Sequence, residues 1–143
     1  MFGEENLLFQ CEARKDNKNR IILPTKTGVE TGDHLVIYKD DYFISIYNIL
    51  LYEKRIKDLK RIQANAKKAG RHLLADELKH EIFCICSHIY DNIIVGKSNR
   101  IVIPKSCIEE YPLDDTVYLM GEYDHVNVFK NKETYKEYVK KRS

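Results

Sequence analysis

Proline and glycine are scarce in this chain, three and six among 143 residues, and no stretch is rich in proline, glycine or serine. That excludes a flexible inter-domain linker and any low-complexity tract. Nothing approaches the roughly 18 consecutive apolar residues that span a bilayer. The acidic start Met1-Phe2-Gly3-Glu4-Glu5 lacks the basic region that opens a signal peptide. An intracellular, cytoplasmic protein with no membrane partner is expected. The four cysteines (Cys11, Cys84, Cys86 and Cys107) lack the spacing of a secreted framework, so reduced thiols are expected. There is no glycine-rich phosphate loop, no nucleophile elbow, and no Ser or Cys beside a His in a recognisable catalytic context. The paired acids Asp40-Asp41 and Asp114-Asp115 fall in predicted turns, where solvated carboxylates are the default. No enzyme, no cofactor and no small-molecule substrate is expected. A net charge of +2 does not by itself argue for a polyanion partner.

What the chain does have is a repeat. Asn19-Arg20-Ile21-Ile22-Leu23-Pro24 returns as Asn99-Arg100-Ile101-Val102-Ile103-Pro104, an offset of 80 (100 − 20 = 80). Val36-Ile37-Tyr38 matches Val117-Tyr118-Leu119, and Ile44-Ser45-Ile46-Tyr47 matches Val126-Asn127-Val128-Phe129, so the offset drifts to 82. Two copies are too few for a solenoid. They are expected to pack on each other in one compact, pseudo-symmetric α+β unit: a first copy over 1–48, a helical linker over 49–89, and a second copy with a terminal helix over 90–143.

Each copy carries the same signals in the same order. The first reads as a strand over Leu7 to Ala13, a turn at Lys15-Asp16-Asn17-Lys18-Asn19, and a strand from Arg20 to Leu23 stopped by Pro24. A loop or single helical turn over Thr25 to Glu30 and a hairpin, Leu35 to Tyr38 with Tyr42 to Tyr47, complete it. The linker reads as two helices. Ile49, Tyr52, Ile56, Leu59, Ile62 and Ala66 form one stripe, Gly70 breaks it, and Leu74, Leu78, Ile82, Ile85 and Ile89 form the next. The second copy repeats strand, turn, strand and hairpin from Ile93 to Phe129, and a helix from Asn131 to about Lys141 closes the chain.

Basic residues crowd the two turns. Arg14, Lys15, Lys18 and Arg20 flank the first, and Lys97, Arg100 and Lys105 flank the second. A two-stranded ribbon or a pair of turns fits the major groove of DNA, where arginine bonds guanine bidentately and lysine meets phosphates. Asp16 and Arg20 equally suit a clamp that holds the turn, leaving DNA contact to Arg14, Lys15 and Lys18. A third basic feature is the first linker helix, with Lys54, Arg55, Lys57, Lys60, Arg61, Lys67, Lys68 and Arg71. It reads either as a phosphate track or as a solvated amphipathic face. His80, Cys84 and His88 recur at four-residue spacing but lack a fourth ligand, so no metal site is expected. The ten tyrosines read as core or interface residues more readily than as stacking platforms for single strands.

Asp16-Asn17-Lys18-Asn19-Arg20 before Ile21-Ile22-Leu23-Pro24, and Asn99-Arg100-Ile101-Val102-Ile103-Pro104 with Leu113-Asp114, Val117 to Gly121 and Asp124 to Phe129, resemble the MraZ family of the AbrB-type swapped-hairpin superfamily, which carries D-x-x-x-R before I-x-I-P in each of two halves. The resemblance covers almost the whole chain. It departs at Gly96, where the pattern has Asp, at Ser98, and in a more helical, more basic linker. The resemblance implies hairpins interleaved into a small β-barrel and a homo-oligomer bound to repeated double-stranded DNA boxes, tandem or palindromic, as a nucleoid-associated transcriptional regulator. The candidate contacts are then Arg14, Lys15, Asn17, Lys18, Arg20, Lys97, Arg100 and Lys105. Asp16, Arg20, Pro24, Arg100 and Pro104 form the structural motif. An antitoxin-like protein-interaction module with weak or lost DNA binding is the alternative.

Overall fold

The computed structural model describes residues 2–3, 7–87 and 89–143. The first copy forms β1 (Leu7–Arg14), β2 (Arg20–Ile22), β3 (His34–Lys39) and β4 (Ile44–Asn48), and the linker forms α1 (Ile49–Lys68) and α2 (His72–Ser87). The second copy forms β5 (Ile89–Ile94), β6 (Arg100–Val102), α3 (Lys105–Glu110), β7 (Thr116–Tyr123) and β8 (His125–Phe129), followed by α4 (Lys132–Arg142). The expected second linker helix is shorter than its stripe. Ile89 keeps the four-residue spacing, yet it sits in β5 opposite Tyr38, because a β-branched run beside an unfilled strand edge gains a ladder there.

Six strands form an antiparallel sheet in the order β1-β7-β8-β4-β3-β5, and β2 pairs separately with β6. The order reads the same from either edge once the copies are exchanged. The opening strand of each copy lies on the hairpin of the other: β1 runs along β7 from Leu7 opposite Tyr123 to Arg14 opposite Thr116, and β5 runs along β3. At the centre, Ser45 faces Asn127 and Ile21 faces Ile101, counterparts at offsets of 82 (127 − 45) and 80 (101 − 21). A residue paired with its own counterpart lies on a two-fold axis, so the repeat in sequence is an internal two-fold in space. There the buried Ser45 Oγ donates to Asn127 Oδ1 at 2.7 Å, a satisfied polar pair on the sheet face opposite the aliphatic core.

The expected closed barrel does not form. The sheet stays open, with β1 and β5 as its two ends. The strands that could bridge those ends, β2 and β6, are three residues long, pair with one another, and stop before Pro24 and Pro104, which cannot donate to a ladder.

Inward-facing positions from both copies share one core: Ile21, Leu35, Ile37, Ile44 and Ile46 with Ile93, Ile101, Val117, Leu119, Val126 and Val128. The helices cover the flanks. Asn48 Oδ1 caps α1 by accepting the Leu50 N–H at 2.8 Å, and Asn131 Oδ1 caps α4 by accepting the Thr134 N–H at 2.8 Å. α1 lays Tyr52, Ile56 and Leu59 against Val36 and Tyr47, turns back at Gly70 (φ 75°), and packs against α2 through Ile85. α4 sets Tyr135 and Tyr138 against Phe43, Tyr118 and Phe129.

Candidate nucleic-acid interface

The first turn is built around one carboxylate. Asp16 Oδ1 accepts the backbone N–H groups of Lys18 and Arg20, each at 2.9 Å, and Oδ2 accepts Arg20 Nε at 2.6 Å. The backbone closes the same loop, with Asp16 N–H donating to Arg20 O at 3.1 Å and Asn19 held at φ 60°, a conformation asparagine tolerates. The Arg20 backbone N–H, the largest influence, outweighs the opposing effect of burial and, with the Arg20 guanidinium and the Lys18 N–H, holds the Asp16 carboxyl below the usual carboxylate range. The clamp is therefore ionised at neutral pH. Arg20 commits its Nε to Asp16, and its Nη groups have no partner among the described residues.

Two reciprocal hydrogen bonds lace this turn to its counterpart: Leu23 N–H donates to Asn99 O at 2.9 Å, and Ile103 N–H donates to Asn19 O at 2.8 Å. Lys15 N–H adds a bond to Asp115 O at 2.8 Å. The β2–β6 ribbon between the turns buries Ile21 and Ile101 completely. Alternation then sends Arg20, Ile22, Arg100 and Val102 outward.

An open cleft of about 500 Å³ results, lined by Arg14, Lys15, Asp16, Asn17, Arg20 and Ile22 from one copy and Arg100 and Asp115 from the other. Four cations face two carboxylates, a net of +2 (4 − 2 = 2), and one of those carboxylates is spent on the clamp. Five of the eight candidate contacts meet here. Lys18 is exposed on the same turn outside the lining, while Lys97, in the second turn, and Lys105, at the start of α3, are exposed elsewhere. The copies are unequal, since Arg14 and Lys15 have Ile94 and Val95 as counterparts at an offset of 80. Sequence reasoning missed Ile22 and Asp115 as lining residues. The alternation Arg20-Ile21-Ile22 before Pro24 was the available signal for Ile22.

The second turn keeps the backbone frame and lacks the clamp. Gly96 N–H donates to Arg100 O at 2.7 Å as Asp16 does to Arg20, and Asn99 sits at φ 59°. With no carboxylate to gather its N–H groups, Ser98 also takes a positive φ of 60°. Gly96 itself has φ −89°, and a Cβ there would meet only Arg100 O at 3.5 Å, an ordinary contact. Gly96→Asp is thus expected to rebuild the clamp and raise Tm by about 2–4 °C, the effect of roughly one added net hydrogen bond in a chain of this size. A thermal melt beside the parent protein checks it, and a lowered Tm would show that the second turn cannot take the path of the first.

Other sequence candidates lie apart from the cleft. Lys54, Lys57, Lys60, Lys67, Lys68 and Arg71 are exposed along α1 and its end, and Arg55 is half-buried beside Glu81 at 3.4 Å. His80 Nε2 and Cys84 Sγ are 3.5 Å apart, and His88 lies outside the described residues. Among the described residues no group of three or more His, Cys, Asp or Glu is placed to hold a metal ion, and no helix is long and apolar enough to cross a membrane.

No family model matches the chain. The transcriptional regulator MraZ of Caldanaerobacter subterraneus subsp. tengcongensis is 28% identical over 138 residues, covering 94% of this chain and 87% of the relative. That of Thermoanaerobacter pseudethanolicus is 28% identical over 92% of this chain and 85% of its own length, and that of Clostridium acetobutylicum is 24% identical over 86% and 80%. A solution structure of PHS018 from Pyrococcus horikoshii aligns over 87% of this chain and 89% of its own at 12% identity, with a TM-score of 0.33, too low for the folds to be equated. The sequence relatives span nearly the whole chain, and over that length the chain is similar to proteins named transcriptional regulator MraZ.

Proposed function

We propose that this protein is a DNA-binding transcriptional regulator that works as a homo-oligomer on repeated double-stranded boxes upstream of an operon. The relatives carry the name of transcriptional regulators and not of enzymes. The observation that carries the reading is the cleft itself, in which Arg14, Lys15, Asn17 and Arg20 of one copy converge with Arg100 of the other on an open surface. Arg14, Lys15 and Arg100 make no ion pair among the described residues, and such cations suit phosphates, which supply most of the affinity of such complexes. The exchange of opening strands between hairpins agrees with a swapped-hairpin assignment, with the two turns as its DNA-facing end. Oligomerisation would add avidity, because each contact on a tandem box raises the effective concentration of the next. Nucleoid association in the cytoplasm follows from the same reading.

The test is a titration of the purified protein onto its own upstream region and onto a scrambled duplex, at several salt concentrations, by fluorescence anisotropy. Stepwise, salt-sensitive preference for the upstream duplex is the expected result. Equal binding to both would reduce the cleft to a basic surface without readout. A second reading, a protein-interaction module, is favoured by one observation: α2 exposes Leu73 at 76% and Phe83 at 67%. Absence of binding to either duplex at moderate salt would favour it.

A further inference from the structure

The outward face of the β2–β6 ribbon is a small checkerboard. Arg20 stands opposite Val102, and Ile22 stands opposite Arg100, so two guanidinium groups occupy one diagonal and two β-branched apolar side chains the other. The internal two-fold exchanges the members of each diagonal, because Arg20 and Ile22 are the counterparts of Arg100 and Val102. The core does not account for the apolar pair. Ile21 and Ile101 on the opposite face are fully buried, whereas Ile22 and Val102 are 54% and 53% exposed. A strand that needed only to hold its register could carry Thr at these positions and keep its β preference. Instead the chain holds hydrocarbon out to solvent between two arginines, with Ile22 lining the basic cleft and Val102 opposite Arg20 at its side.

We infer that Ile22 and Val102 read the C5-methyl groups of two thymines in the major groove, flanked by guanines read by Arg20 and Arg100; this rests on the DNA-binding reading above. Thymine is the base that presents a methyl group in the major groove, and apolar side chains are the matching contact. Spacing supports the match. Diagonal neighbours across an antiparallel pair lie about 7–8 Å apart, close to two base-pair steps of roughly 3.4 Å each. The two-fold relation makes the pattern pseudo-palindromic, one guanine and one thymine on each side of a centre. Lysines of the first turn then position the ribbon on phosphates, while the four outward side chains choose the bases.

The experiment amplifies the protein's own upstream duplex once with dTTP and once with dUTP, which removes the C5-methyl groups and leaves every hydrogen-bonding edge in place. Burial of one methyl group is worth roughly fourfold in affinity, so the wild-type protein is expected to bind the uracil duplex about fifteenfold more weakly at fixed salt. The salt slope should stay unchanged, because no phosphate contact is lost. The variant Ile22→Ser with Val102→Ser is expected to bind both duplexes alike, and a thermal melt confirms that it is folded. If the wild-type protein prefers its upstream duplex to a scrambled one yet ignores the exchange of thymine for uracil, the methyl readout is overturned and DNA binding stands. If wild type and variant lose affinity equally on uracil, the methyl groups act elsewhere and the assignment to Ile22 and Val102 is overturned. If neither duplex is preferred over scrambled DNA, the inference falls together with the DNA-binding reading.

Discussion

Replacing Lys15 and Lys18 together by glutamate is expected to weaken binding to the upstream duplex by about 100-fold at moderate salt and to flatten the salt slope by about 1.8 log units. Each phosphate contact contributes roughly 0.9 to that slope, and reversal of sign adds repulsion to the lost attraction. The loss should be of similar size on scrambled DNA, since phosphates carry no sequence. The fold should survive. Lys18 joins the turn only through its backbone N–H, and the Lys15 ammonium makes two long contacts of 3.4 Å, to Asn19 Oδ1 and Asp16 O. Exposed substitutions of this kind stay within about 0.5 kcal/mol. The matching reversal of Lys57 and Lys60 on α1 serves as the comparison, because neither lines the cleft. Anisotropy titrations across salt decide the matter. An unchanged slope in the Lys15 and Lys18 variant would remove the first turn from the contact surface, and a flattened slope in the α1 variant would add the helix to it.

Phe129→Ala is expected to produce the largest loss of stability of any single truncation near α4, about 3–5 kcal/mol, or roughly 10–15 °C in Tm. Phe129 is fully buried, and its ring lies 5.1 Å from Phe43, 5.2 Å from Tyr135 and 5.4 Å from Tyr138. Removing it empties the centre of an aromatic cluster whose offset and edge-on pairs each add to burial. α4 depends on that cluster more than its length suggests, since it has no fully buried residue of its own. The melt should therefore be accompanied by early loss of helical signal. Phe83→Ala, at a site 67% exposed, gives the baseline of a truncation with little consequence. A Tm within a degree or two of wild type for Phe129→Ala would mean that α4 is held by contacts other than this ring.

Much of this architecture is written in the repeat. The matched hexapeptides place Ile21 and Ile101 on the internal two-fold, and the offset of 82 at Ser45 and Asn127 does the same for the central strand pair. The Asp16 turn is legible for a physical reason, as Asp bonds its own backbone and Asn19 tolerates a positive φ. The exchange of strands is not legible, because Leu7 to Arg14 would satisfy its alternation on any free edge, and only three-dimensional register gives it to β7. Ile89 misleads for a related reason: a four-residue spacing continues by chance past a helix end that no Gly or Pro marks. At the candidate site, charge picks out the arginines and lysines of the first copy. It says nothing of Ile22 and Val102, whose significance depends on exposure, which pattern alone does not supply.

The exchanged opening strands also dictate when this protein can exist during its own synthesis. Leu7 pairs with Tyr123, a partner 116 residues later (123 − 7 = 116), and the rest of β1 follows in the same register. The ribosome must therefore deliver residues 116–123 before β1 finds its place, and until then the β3–β4 hairpin also lacks one flanking strand, β8, and earlier still its other, β5. Pairings between such distant residues raise contact order and slow folding. A truncated transcript or a stalled nascent chain would thus expose bare strand edges, so the duplication that builds the cleft from two copies also makes half a molecule an aggregation hazard.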